Sequence, residues 1–166
     1  QYIGGQRSGL GRAVLPSGDT YQGQWEEGAI TGEGSMLYAS NGVKYSGQLV
    51  DGKPHGTGRL EDGTAAYEGA FRHGRRHGHG VQTSPSDGEV YEGQWLAGER
   101  SGRGTATFEN GQREYQGCWE HGRISGEGTL RCADFTHSGM WLDGLRQGPG
   151  KCEFGNGETY DGQWHA

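Results

Sequence analysis

The stretch Tyr91-Glu92-Gly93-Gln94-Trp95-Leu96-Ala97-Gly98-Glu99-Arg100-Ser101-Gly102-Arg103-Gly104 sets a ring, a glycine and a second ring at alternate positions, then a loop glycine, then Gly-x-Gly. Alternation of this kind is strand periodicity, because successive side chains of a strand point to opposite faces. The same five-residue start recurs at Tyr21/Trp25, Tyr45/Leu49, Tyr67/Phe71, Tyr115/Trp119, His137/Trp141 and Tyr160/Trp164, every 22–24 residues. The loop glycine and the Gly-x-Gly recur with it, as at Gly28 with Gly32/Gly34 and Gly122 with Gly126/Gly128. All but Gly4 and Gly155 of the chain's 36 glycines fall on this register. A period of about 23 residues sustained over successive units marks a repeat array.

Composition agrees. Hydrophobic residues make up 30% of the 166 residues and mean hydropathy is −0.92, values that alone suggest disorder. Five Trp, eight Tyr and four Phe argue instead for packed structure. Glycine without a G-X-Y period excludes collagen, and no apolar run approaches the roughly 20 residues of a membrane-spanning helix. A formal charge of −6 argues against nucleic acid as a partner, since phosphate-backbone binding needs a basic footprint. Three cysteines cannot all pair with one another, and an odd count with no secretory signal favours a reducing, intracellular setting. The start at Gln1, with no initiator Met, reads as a piece of a longer protein.

Each unit reads as one β-hairpin. The first strand runs from Tyr to Trp, the loop glycine follows, and the second strand starts at Gly-x-Gly and alternates again, as in Met36/Tyr38 and Leu130/Cys132. Turn signals close the units: Asn41-Gly42, Asp62-Gly63, Asp87-Gly88, Asn110-Gly111 and Asn156-Gly157. Tyr, Gly and Trp of one start share a face, where the rings can cover bare glycine backbone. The expected fold is all-β: an elongated, single-layer, twisted antiparallel sheet of consecutive hairpins, a rod of roughly 60 Å, with essentially no helix. Residues 1–166 form one array. It comprises a partial unit at 5–20, full units at 21–44, 45–66, 67–90, 91–114, 115–136 and 137–159, and a partial unit at 160–166.

The pattern Tyr-x-Gly-x-Trp-x-x-Gly-x-x-x-Gly-x-Gly, from about Gly5 to Trp164, resembles the MORN repeat (membrane occupation and recognition nexus). Within that family the chain looks most like the multi-repeat cytoskeletal scaffold proteins of protozoan parasites. The resemblance implies a non-enzymatic scaffold without a cofactor, assembling into homodimers and with other cytoskeletal proteins. Its implied setting is cytoplasmic and cytoskeleton-associated, at the inner face of the plasma membrane. The alternative is a membrane-tethering module that binds phosphoinositide. Departures from the pattern are Leu49 and Phe71 at Trp positions, His137 at a Tyr position, and Ala133-Asp134-Phe135-Thr136 where a turn glycine is expected.

Five sets of residues are candidates for function. Arg72, Arg75, Arg76 and His77 crowd the loop of the third unit, and a cation cluster suits anionic phosphoinositide headgroups; the competing reading is a solvated edge. Lys53, Arg100, Arg123 and Arg146 on other loops suggest a weak basic ladder. Tyr21, Trp25, Tyr91, Trp95, Tyr115 and Trp119 form a ladder of amphipathic rings, either a groove for a peptide or helix or simply the core. Cys132, His137 and Cys152 suit zinc chemically, but three ligands do not close a structural site, so a metal there would need a second chain. The seventh start, at Tyr160, has no returning strand, and with Trp141, Phe154 and Trp164 it presents aromatics to a dimer contact; alternatively Trp164 folds back over Trp141. No nucleophile, metalloprotease or phosphate-loop motif supports catalysis.

Overall fold

The computed structural model describes residues 2–165. A short pair, β1 (Tyr2–Ile3) with β2 (Gln6–Arg7), precedes an open antiparallel sheet of 14 strands in chain order. The chain comprises two compact units, Gln1–Gly80 and Val81–Ala166. The first holds β3 (Gly9–Val14), β4 (Thr20–Glu26), β5 (Ala29–Leu37), β6 (Lys44–Val50), β7 (Lys53–Glu61) and β8 (Ala66–Arg72). Strand β9 (Arg75–Ser84) runs past Gly80. The second holds β10 (Glu89–Leu96), β11 (Glu99–Phe108), β12 (Arg113–Glu120), β13 (Arg123–Arg131), β14 (Phe135–Leu142), β15 (Leu145–Phe154) and β16 (Thr159–Trp164). Apart from one 3₁₀ turn, Glu109–Gly111, no helix occurs among the described residues.

The hairpin tips explain where the strands begin. Asp51 (φ 50°) with Gly52 (φ 70°), and Asp143 (φ 49°) with Gly144 (φ 86°), are both left-handed. Two such residues make the type I′ turn, whose twist matches that of the strands it joins. The second strand therefore starts directly after the loop glycine, at Lys53 and Leu145 for example, and not at Gly-x-Gly as the spacing suggests. The first glycine of that pair is a mid-strand bulge. Gly47 faces Gly58 and Leu49 faces Pro54, so Gln48 alone opposes three residues. Gly56 takes φ 60° there, and a Cβ on it would strike the side-chain Oε1 of Gln48, which accepts the Thr57 N–H at 3.2 Å. Bulges of this kind bend the strand and raise its twist.

The remaining glycines form a spine. In the second compact unit Gly117 pairs with Gly104 and Gly128, and Gly139 with Gly128 and Gly150. The tyrosine two residues earlier lies against this bare backbone: a Cβ on Gly128 would collide with the Tyr115 ring. Each tyrosine hydroxyl then donates to the carbonyl three residues on, Tyr21 to Gln24 (2.8 Å), Tyr91 to Gln94 (2.9 Å) and Tyr115 to Cys118 (3.1 Å). Burial pushes Tyr45, Tyr67, Tyr91 and Tyr115 up to about 12, so the hydroxyls stay protonated as donors.

Rings close this face. Tyr91 stands edge-on between Trp95 (5.2 Å) and Trp119 (5.0 Å), and Tyr115 between Trp119 (5.5 Å) and Trp141 (5.7 Å). In the first unit Phe71 meets Tyr45 at 5.2 Å and Tyr67 at 5.1 Å. Met36, Ala106, Leu130 and Cys152 fill the positions opposite the rings and are buried. Successive hairpins are also stitched by their tips. The Gly52 N–H donates to the Ile30 carbonyl (3.0 Å), Gly74 to Pro54 (2.8 Å), Gly122 to Arg100 (3.0 Å) and Gly144 to Ile124 (2.8 Å).

Candidate interaction surfaces

The aromatic ladder is core. Tyr21, Tyr91 and Tyr115 are at most 1% exposed, and Trp25, Trp95 and Trp119 are at most 6%. Their surfaces cover one another and the glycine spine, so these six side chains do not present a groove to a partner. The repeat period identifies their common face, but their coverage comes from the next hairpin, which periodicity does not reveal.

The loop cations separate by one residue. Lys53 and Arg123 directly follow a turn glycine and are exposed, Arg123 approaching Asp143 at 3.5 Å. Arg100 and Arg146 stand one position later and turn onto the aromatic face. Arg100 lies over Tyr91 (4.7 Å) and Trp119 (5.3 Å) and bonds Glu89; Arg146 lies over Trp164 at 4.2 Å. Ile30 and Pro54 occupy the equivalent position as buried side chains. There is no basic ladder along these loops: half of its members cap rings by cation–π contact. The third-unit cluster divides the same way. Arg72 and Arg75 flank the His73-Gly74 turn and are exposed, Arg76 lies over Tyr67 at 5.7 Å, and His77 is half-buried on β9. The His55 and His73 rings meet edge-on at 5.6 Å beside them.

His137 is the departure with structural consequences. It occupies a tyrosine position between Trp141 (5.2 Å) and Trp164 (4.8 Å), faces Leu130 and Cys152 across the sheet, and is fully buried. Both ring nitrogens lack a hydrogen-bond partner. Trp164 therefore packs on His137 rather than over Trp141, and its indole N–H donates to Gly150 (3.1 Å). Trp141 is 6% exposed, which removes it from the proposed dimer contact; Phe154 and Tyr160 remain exposed. Cys132 lies beyond the end of β13, in the turn, where its N–H and thiol both approach the Phe135 carbonyl, rather than on the strand. Burial pushes the Cys152 thiol up. Among the described residues no three His, Cys, Asp or Glu side chains gather to hold a metal. With His137 and Cys152 both sealed, a second chain has no route to complete such a site.

His137 also yields a prediction. Burial, then the Arg146 charge, holds its pKa below the usual histidine value of 6.5. The unfolded chain thus binds a proton that the folded chain resists. This contribution to stability is fully present above the ordinary value and is lost as pH falls below it toward the folded value. His137→Tyr restores the ring used in the other units, with a hydroxyl placed to donate to the Met140 carbonyl. The variant is expected to be more stable by about 1–3 kcal/mol, the cost of the orphaned polar atoms. Its advantage in thermal melts should widen between pH 7.5 and pH 5; equal pH profiles would contradict this.

On the opposite face of the first unit lies a groove of about 340 Å³ whose lining includes Arg12, Gln22, Ser35, Leu37, Lys44 and Arg59. Sequence reasoning missed it, although the register would have found it: if Tyr45 faces Met36, Ser46 faces Ser35.

The MORN repeat family model matches residues 1–20, 21–43, 45–64, 67–89, 91–113, 115–136 and 137–159. Among solved structures, the TCP10c domain of Drosophila melanogaster Sas-4 is similar with a TM-score of 0.51 at 14% identity, over 94% of this chain and 93% of that chain. A Drosophila melanogaster SAS-4 TCP domain, in complex with a proline-rich motif of Ana2, gives a TM-score of 0.49 at 13% identity, over 93% and 90%. At 14% identity the likeness to the TCP10c domain is one of fold alone.

Proposed function

The chain belongs to the MORN-repeat family, and on that basis we propose that it is a non-enzymatic scaffold holding protein partners along the polar face of its sheet. One observation carries the reading. The aromatic face closes on its own rings, so the opposite face, which in most folds would pack on a second layer, stays open. Cross-strand rows such as Gln22, Ser35 and Ser46, or Gln116, Thr129 and Ser138, line it. A cytoplasmic, cytoskeletal setting goes with this reading. The test is affinity capture followed by reconstitution from purified components, with hydrogen exchange to map the footprint. Protection on the polar-face rows is expected; a footprint on the hairpin tips alone, or no reconstituted complex, overturns it.

Self-assembly through the C-terminal hairpins belongs to the same reading, because Phe154 is 38% and Tyr160 43% exposed. Light scattering at tens of micromolar should give a dimer that Phe154→Ser with Tyr160→Ser weakens. A wild-type monomer ends this part of the proposal.

A second reading, anionic-lipid binding, is favoured by Arg72 and Arg75. Like charges placed on either side of a hairpin tip disfavour the hairpin, and an anion there would relieve them. Arg72→Glu with Arg75→Glu should abolish sedimentation with phosphoinositide vesicles while leaving the melt unchanged. Absence of wild-type sedimentation would retire this reading.

A further inference from the structure

We propose that the polar-face groove of the first compact unit binds an acidic, extended peptide segment of a protein partner. The inference rests on the scaffold reading above and adds the partner's chemistry. The groove's shape follows from side-chain length. Ser35 on β5 and Ser46 on β6 face each other at its floor, while Arg12 on β3 and Arg59 on β7 stand at its sides.

Its charge follows from pairing. Arg59 is held by Glu61 (2.8 Å) and Glu68 (3.4 Å) and is thereby neutralised. Arg12 and Lys44 are exposed, with no ion pair among the described residues, while Glu61, the carboxylate that holds Arg59, is the residue facing Lys44 across β6 and β7. In the second unit, Arg131 on the same kind of row is paired to Glu114 (3.2 Å) and Lys151 to Glu153 (2.7 Å). The groove thus keeps two free cations in a chain whose formal charge is −6. Leu37, 40% exposed on the intervening strand β5, offers an apolar contact beside Lys44.

Spacing selects the ligand. Arg12 on β3 and Lys44 on β6 are three strand steps apart across the sheet and two residues apart along it, about 16 Å. An extended chain covers that distance in about four to five residues. Two carboxylates four positions apart, with an apolar residue between them, match the two cations and Leu37 together. Arg12 adds the planar fork that takes a carboxylate through two parallel N–H bonds.

The test uses the full chain and a labelled synthetic peptide with two glutamates four positions apart, a leucine between them and Ser/Gly elsewhere, read by fluorescence anisotropy. Binding should weaken at least tenfold in Arg12→Glu with Lys44→Glu, fall with added salt, and survive Arg131→Glu. The same peptide with lysines for glutamates should not bind. Both cations are exposed, so an unchanged thermal melt checks that the double variant folds. No wild-type binding, or equal binding by the double variant, overturns the proposal. Sedimentation with phosphatidylserine vesicles that needs both cations would assign the groove to a membrane and overturns it too. A captured partner that still assembles with the double variant removes the groove but leaves the scaffold reading standing. Absence of any reconstituted complex removes the scaffold reading.

Discussion

Gly117→Ala is expected to destabilise the second compact unit by about 3 kcal/mol or more, at the upper end of what an inserted methyl costs in a packed core. The reason is backbone, not side chain. A Cβ at Gly117 would meet the Gly128 Cα and the Glu127 carbonyl, neither of which can rotate away, as well as the Tyr115 hydroxyl. Gly122→Ala is the control. That glycine sits in the turn at φ 79° with nothing within 4 Å of a Cβ, so alanine there costs only the left-handed conformation, about 1–2 kcal/mol. Urea denaturation followed by circular dichroism separates the two. A Gly117→Ala variant no less stable than Gly122→Ala would mean that the spine is not in close contact.

Tyr115→Ala should cost about 3–5 kcal/mol, the range for deleting a large core side chain. The ring fills the gap between Trp119 and Trp141 and covers Gly117 and Gly128. Tyr115→Phe keeps that packing and loses the bond to the Cys118 carbonyl, for about 1 kcal/mol. Because a repeat contacts chiefly its neighbours, faster hydrogen exchange should appear in β12 to β14 and fade toward β10. Uniform acceleration through the unit would show a single cooperative block instead.

How much of this was legible in advance depended on which physical rule each residue obeyed. The hairpins were readable because Tyr-x-Gly-x-Trp alternates, a loop glycine follows it, and pairs such as Asp62-Gly63 and Asn110-Gly111 suit the turns that close the units. The start of each second strand was not. Gly-x-Gly looks like a break, whereas Gly56 is a bulge residue and Lys53 already belongs to β7. Cys132 was misplaced because Leu130 alternates with it, yet the chain turns at Ala133-Asp134 and hands the Cys132 N–H to Phe135. The loop cations looked equivalent in order along the chain. A single-residue offset sends Arg100 and Arg146 inward and leaves Lys53 and Arg123 outside. The groove arises only when β3 to β7 are laid side by side, a relation between residues far apart in sequence.

The tip-to-tip bonds, such as Gly122 N–H to Arg100 and Gly144 N–H to Ile124, bear on what happens under tension. Within residues 81–166 the strands follow chain order, so a pull on the chain reaches one hairpin at a time. A bare meander would unzip smoothly under such a load, bond after bond. Here each hairpin is also clamped at its tip to the one before, and its indole laps the preceding hairpin's ring, so it should resist and then give way as a whole. Each release frees about 23 residues, or roughly 75–80 Å of extended chain. A force trace should therefore be a regular sawtooth with that spacing.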